Sequence, residues 1–452
     1  VPAPPSWTPT DGAAVFDPDD PRYWDRAGLE AEVARVFDVC AGCRLCFKYC
    51  DAFPHLFASA DERHGGNARA LTEAETARVM DDCFQCKLCE VNCPYTPRDK
   101  HPFAIDVPRL VHRWRAVRAR RDGIPLREQV LARPDRLARL ARASGGIANR
   151  LANAKTHRAL LERTLGIHRE ARLPAFAPRS FARWAEDRGL TRRGPGGEAV
   201  LFPTCTVDDN VPEIGRDTVE VFERNGVDLR CAPGSGCCGM PAWERGDLPT
   251  LRELAGRVLD RLVPFVDAGA KVVVPGPTCG MMLRREYPEL VAAGDRDRAR
   301  RLADAVRDPS EMLWSIRKEP RFNRAFKALP ARVAYHAACH LRAQGAGLRG
   351  RDLLRAAGVA NVTLVAECSG HDGTYGIKVE SFEASKRIGG KAFEAMRAAE
   401  ADAWVSDCPL AAIQIEHHAG RKPVHPMSLL ARAYRGEDAS IEQKTQQQQQ
   451  EG

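Results

Sequence analysis

No window of this 452-residue chain approaches the roughly 18 uninterrupted apolar residues of a bilayer-crossing helix. Any membrane association is therefore expected to be peripheral or through a partner. The Pro-rich start, residues 1–10, has no positively charged stretch leading into an apolar run, so it does not read as a secretory leader. No Gly-x-Gly-x-x-Gly follows a strand pattern, which removes a dinucleotide site and leaves flavin chemistry to another subunit. What is absent among the sixteen cysteines is the wide spacing of a secreted disulfide scaffold. They fall in local clusters, which favours metal ligation in a reducing compartment and a cytoplasmic location, with the cytoplasmic membrane face as the place for peripheral contact.

Charge is present but uneven. The net value is +8, yet residues 113–193 hold 20 Arg and 1 Lys against 7 acidic residues, or +14, which leaves −6 for the remainder. Such a segment attracts anionic lipid, an acidic protein or nucleic acid. No recognised nucleic-acid module accompanies it, so nucleic acid is not expected as a partner. Arg interleaves with Leu, Ala and Trp at near-helical spacing, as in a basic amphipathic helix at a membrane surface, with Trp114 and Trp184 as candidate interfacial anchors. A solvated insert packed on neighbouring modules is the competing expectation.

The cysteines carry the strongest motif. Cys40-x2-Cys43-x2-Cys46-x3-Cys50 and Cys83-x2-Cys86-x2-Cys89-x3-Cys93-Pro94 both have the spacing of bacterial two-cluster ferredoxins. Three thiolates two residues apart wrap one face of a cubane, and the fourth reaches to the other cluster. Cys40, Cys43, Cys46 and Cys93 are thus assigned to one [4Fe–4S] cluster, and Cys83, Cys86, Cys89 and Cys50 to the second. Zinc also takes paired Cys-x2-Cys motifs, but eight thiolates in two matching runs are what two cubanes require. Asp51 stands where the first run would close with proline, which is not a ligand.

Apolar patterning divides the rest. Residues 1–28, rich in Pro and Asp, predict an arm with little packing, and 29–110 the two-cluster domain with a helical connector near 71–80. Residues 111–197 predict an Arg-rich helical insert. From 198, short strands (199–202, 271–274, 332–335, 403–405) alternate with amphipathic helices, as in open α/β packing. Cys205, Cys238 and Cys279 recur as Cys339, Cys368 and Cys408 at offsets of 134, 130 and 129, so 198–317 and 318–436 read as duplicated modules. Residues 437–452 end in a Gln run expected to be disordered. The fold class expected is α+β multidomain: a mostly helical two-cluster ferredoxin domain followed by a duplicated α/β cysteine-rich domain.

Cys205, the pair Cys237-Cys238 before Gly239, and Cys279 resemble the cysteine-rich "CCG" domain found in the B subunit of heterodisulfide reductase, in lactate-utilisation protein A and in glycolate oxidase iron–sulfur subunits. In overall order the chain resembles the family of the C subunit of anaerobic glycerol-3-phosphate dehydrogenase. The local matches are Gly234-Ser-Gly-Cys-Cys-Gly-Met-Pro, Tyr335-His-Ala-Ala-Cys-His-Leu, Gly373-Thr-Tyr-Gly-Ile-Lys and Ser406-Asp-Cys, and the likeness covers 29–110 and 198–436. The resemblance implies a non-cubane iron–sulfur cluster or another metal, zinc included, in the complete Cys…Cys-Cys-Gly…Cys-x2-Cys motif. This sequence departs from the motif at Met282, Ala411 and Ser369. The first module keeps Cys205, Cys237, Cys238 and Cys279, with Cys231 as a substitute nearby. The second keeps Cys339, Cys368 and Cys408, and His371, ahead of His340, is the candidate to complete it.

These readings predict an iron–sulfur subunit that takes electrons from a flavin-containing dehydrogenase, passes them through two cubanes to the cysteine-rich modules, and delivers them to quinone or a thiol/disulfide acceptor. The rival expectations are a stand-alone metalloenzyme with an open site in the second module, and a cluster-bearing sensor or scaffold.

Overall fold

The computed structural model describes residues 6–9, 14–234 and 236–437. The Gln run expected to be disordered lies outside the described residues, as do residues 1–5 and 10–13 of the expected arm. The chain divides into two compact units, Val1–Glu128 with Pro241–Thr250, and Gln129–Met240 with Leu251–Gly452.

The first unit is helical. Its helix Arg26–Cys43 opens where the Asp25 side chain accepts from Gly28 N, and it stops where Arg44 turns left-handed. Helix Glu73–Asp82 fills the predicted connector and begins in a capping box between Thr72 and Glu75. With Ala52–Arg63 and Val107–Asp122 these helices enclose a core that includes Val36, Phe37, Phe53, Leu56, Met80 and Val111. The residues expected to form a loosely packed arm are instead built into this unit from Tyr23 onward. Tyr23 is buried, and the buried guanidinium of Arg113 donates to the carbonyl oxygens of Arg22 and Tyr23 at 2.6 and 2.8 Å.

The second unit holds two parallel sheets. Strands β1 (Ala199–Leu201), β2 (Leu229–Cys231), β3 (Lys271–Val273) and β4 (Val306–Arg307) lie in the order β2-β1-β3-β4. Strands β5 (Arg332–His336), β6 (Asn361–Val365) and β7 (Ala403–Ser406) lie in the order β6-β5-β7. Every pairing is parallel, and in both sheets the first strand is central with the second and third on its flanks. Register sets Leu201 opposite Cys231 and Val273, and His336 opposite Val365 and Ser406. Six strand ends therefore line up in two groups of three, and open α/β sheets bind their ligands beyond such carboxyl ends.

The Arg-rich segment is not a single insert. Helix Val107–Asp122 belongs to the first unit, whereas Pro134–Ala143, Ile147–Asn153, Lys155–Leu165 and Phe181–Asp187 belong to the second. Trp114 and Trp184, expected as interfacial anchors, are half-buried against the cores of their units. Some arginines are also inside. Arg158 donates to the carbonyl oxygens of His168, Arg169 and Ala171, so main-chain oxygens take the place of water.

Candidate metal centres

In the first unit both cysteine runs bend through a left-handed residue after their middle cysteine, Arg44 at φ 58° and Lys87 at φ 62°. A non-glycine residue there costs about 1 kcal/mol, and the turn folds the chain around the thiols. Two cavities result. One, with an empty volume of about 330 Å³, is bordered by Cys40, Cys43, Cys46 and Cys93 and closed by Phe53, Phe57, Tyr95 and Ile105. The other, about 530 Å³, is bordered by Cys50, Cys83, Cys86 and Cys89, with Cys40 at its edge and Phe37, Leu56 and Val111 in its wall. The fourth cysteine of each run thus borders the other run's cavity.

The donor chemistry fits a cluster. Burial, with neighbouring thiols adding to it, pushes Cys40, Cys50 and Cys89 well above the ordinary thiol range and Cys46 up to about 12. Thiols so placed ionise only where compensating positive charge, such as cluster iron, sits among them. Amides are present as well, since Tyr95 N donates to Cys93 Sγ at 3.4 Å.

In the second unit the strand ends position the remaining cysteines. Beyond β1, β2 and β3 stand Cys205, the Cys237-Cys238-Gly239 turn, and Cys279 on helix Pro277–Met281. Hydrogen bonds link Cys205 to Cys237, Cys237 to Cys238, and Cys238 to Cys279, so four thiols form one continuous row. The bond to Cys237, with burial, pushes Cys205 up. Tyr287 Oη donates to Cys238 O at 2.9 Å and fixes the turn. Cys231, the expected substitute, is not in the row. It lies on β2 inside the hydrophobic core, where burial pushes its thiol up to about 12.

The second module repeats the plan with fewer thiols. Beyond β5, β6 and β7 stand Cys339, Cys368 and Cys408. Gly370 N donates to Cys368 Sγ at 3.3 Å, just as Gly239 N donates to Cys237 Sγ at 3.3 Å, with φ of 72° and 83° at the two glycines. Cys368 is therefore the counterpart of Cys237 and not, as the offset of 130 implies, of Cys238, whose place Ser369 takes. Cys339 hydrogen-bonds Cys368, and the charges of Cys339 and Asp372 bear on Cys408, whose thiol burial pushes up to about 12.

Asp372 is the residue that sequence reading missed. It is buried, bears on both Cys339 and Cys408, and lies 3.6 Å from His340 Nε2. An acid following His371 in the loop after Cys368 was the available signal. His371 is buried on that loop, where its carbonyl accepts from Gly376 N. His340 Nδ1 is 2.9 Å from Thr278 Oγ1, and helix Pro277–Met281 packs on helix Cys339–Ala343, so the thiol groups of the two modules are neighbours. Among the described residues, no group of three or more His, Cys, Asp or Glu side chains is arranged to hold a single metal ion.

The 4Fe-4S dicluster domain family matches residues 39–96, and the cysteine-rich domain family matches twice, at 199–284 and 333–416. The C subunit of the anaerobic glycerol-3-phosphate dehydrogenase of Escherichia coli K12 is 29% identical over 68% of this chain and 77% of its own length. Lactate utilization protein A of Geobacillus kaustophilus is 30% identical over 40% of this chain and 74% of its own. The B subunit of the CoM/CoB fumarate reductase of Methanothermobacter marburgensis is 28% identical over 50% and 42%.

Proposed function

The chain belongs to the family of iron–sulfur electron-transfer proteins in which a 4Fe-4S dicluster domain precedes cysteine-rich domains, and on that premise we propose that it is the electron-carrying subunit of a dehydrogenase or reductase complex. In this reading Cys40, Cys43, Cys46 and Cys93 hold one cubane and Cys83, Cys86, Cys89 and Cys50 the other. The clusters supply one-electron storage. The chain's own residues shield that chemistry from water, through Phe53, Phe57 and Leu56, and turn amides toward sulfur. The observation that supports the reading most is the exchange of the fourth cysteines, Cys50 and Cys93, between the two cavities.

Electrons arrive from a partner dehydrogenase, carrying flavin, and leave through the row Cys205, Cys237, Cys238 and Cys279 toward quinone or a thiol/disulfide acceptor. The row is the set we assign to a further iron–sulfur cluster. Cys339, Cys368 and Cys408, with Asp372 beside them and His371 on the same loop, have fewer thiolates to offer and suit entry of a small substrate. Peripheral membrane contact is supported by Leu140, Ile147, Leu151 and Leu160, exposed on three successive helices among exposed Arg136, Arg139, Arg150 and Arg163. No helix among the described residues is long and apolar enough to cross a membrane.

The test is reoxidation. The anaerobically reduced chain is mixed with a water-soluble naphthoquinone or with a disulfide. Wild type is expected to reoxidise with one of them, and Cys237→Ser/Cys238→Ser to keep both reduced-cubane signals while losing that reaction. Equal rates in the two proteins would remove the cysteine-rich row from the path.

A further inference from the structure

The two cysteine runs share their spacing and their left-handed bend, yet they meet solvent differently. Residues 83–90 of the second run are buried without interruption. Leu88, between Cys86 and Cys89, is 1% exposed. Leu45 occupies the same place between Cys43 and Cys46 and is 56% exposed, and Phe47, beside Cys46, is 62% exposed. Both side chains thus leave more than half of their surface in water, apolar area that a docked partner would cover.

Two basic residues, Arg44 and Lys48, flank Leu45 and Phe47 in the chain. Arg44 is held by Asp61 at 2.7 Å, and Arg98, whose charge bears on Cys93, by Asp99 at 3.0 Å. Lys48 is exposed and has no acidic partner among the described residues; its ammonium stands 5.6 Å from the Tyr49 ring centroid. An apolar centre over a redox site with uncompensated charge at its edge is the form of a small electron-transfer interface, where charge speeds encounter and apolar contact holds it.

We propose that the Leu45/Phe47 face is the port at which a redox protein docks, one whose own redox centre is ringed by carboxylates. The proposal rests on the reading that Cys40, Cys43, Cys46 and Cys93 hold a cluster. One electron leaves the partner's reduced centre and enters that cluster; the partner is oxidised by one electron, the cluster is reduced by one, and no bond forms or breaks. The first cluster is thereby the entry point, and the buried second run lies inward of it.

The probe is a flavodoxin, whose surface around its flavin is acidic, used with the full-length chain. Calorimetry with oxidised flavodoxin reads docking, and stopped-flow mixing with flavodoxin hydroquinone reads transfer. Phe47→Gln is expected to weaken binding and slow transfer by about tenfold or more, with dithionite reduction and both reduced-cubane signals unchanged. Lys48→Glu is expected to slow transfer and flatten its dependence on salt. Wild-type binding and rates in both variants, with both cubane signals present, would overturn the port. So would a dimer of the chain that dissociates in Phe47→Gln, which would give the face to a second copy. Absence of cubane signals in wild type would instead remove the premise, and iron analysis of the same sample tells the two failures apart.

Discussion

Arg115 donates to the carbonyl oxygen of Cys83, the residue that opens the second cysteine run. The same guanidinium reaches Met80 O at 3.0 Å and Glu244 O at 2.9 Å. Arg115→Met leaves three buried carbonyl oxygens without this donor and is expected to destabilise the first unit by about 3 kcal/mol. Iron analysis should fall by about four atoms per chain as the site of Cys83, Cys86, Cys89 and Cys50 becomes labile. Unchanged iron would show that the carbonyl clamp does not support that loop.

Gly370 is the second test. Its φ is 72°, and a Cβ there would stand 2.1 Å from Ser385 O. Gly370→Ala is expected to lower the stability of the second unit by about 3 kcal/mol and to displace the amide that donates to Cys368 Sγ. Denaturant unfolding reads the loss, and both reduced-cubane signals should persist. Wild-type stability would mean the turn can open without disturbing its neighbours.

The cysteine spacing alone picked out the two runs, because cubane ligation dictates spacing, and the structure adds that Cys50 and Cys93 each border the other run's cavity. The four strands near 199, 271, 332 and 403 were legible from short apolar runs, while β2, β4 and β6 were not. β4 has two residues, and in β6 only Val362 and Val365 are buried while Thr363 and Leu364 are exposed side by side, so its five residues show no alternation. Charge counting misled for the Arg-rich segment. It treats every arginine as solvated, whereas Arg113, Arg115 and Arg158 are buried on main-chain oxygens that no pattern displays. Trp114 and Trp184 were misplaced for the same reason. Nor does spacing reveal that Pro241–Thr250, just after the Cys-Cys-Gly turn, packs with the first unit, where Trp243 stacks on His112 at 5.4 Å and lies under Lys87.

His425 gives a pH prediction. Burial drives its pKa down to about 3, and its Nδ1 accepts from Met427 N at 3.2 Å. Above the unfolded histidine pKa the neutral form is shared by both states and stability is full. As pH falls from there toward the folded value, only the unfolded chain binds the proton. Wild type should therefore lose about 2 kcal/mol more than His425→Asn between about pH 7 and pH 5, read as denaturation midpoints. Parallel curves would contradict the buried neutral imidazole.

The exposed leucines on the Arg-rich helices predict binding to vesicles containing phosphatidylglycerol. Leu140→Ser/Leu160→Ser should cut flotation by about tenfold or more without changing the cluster signals. Equal flotation would assign the arginines, or another surface, to the interaction.

The most direct measurement is anaerobic purification followed by iron and acid-labile sulfide per chain, with electron paramagnetic resonance of the reduced sample. At least about eight irons, matching sulfide and reduced-cubane signals are the predicted result, and about twelve with a further signal on oxidation would add the row Cys205, Cys237, Cys238 and Cys279. Fewer than about four irons in a folded, oxygen-free sample would contradict the assignment of two cubanes to the paired cysteine runs.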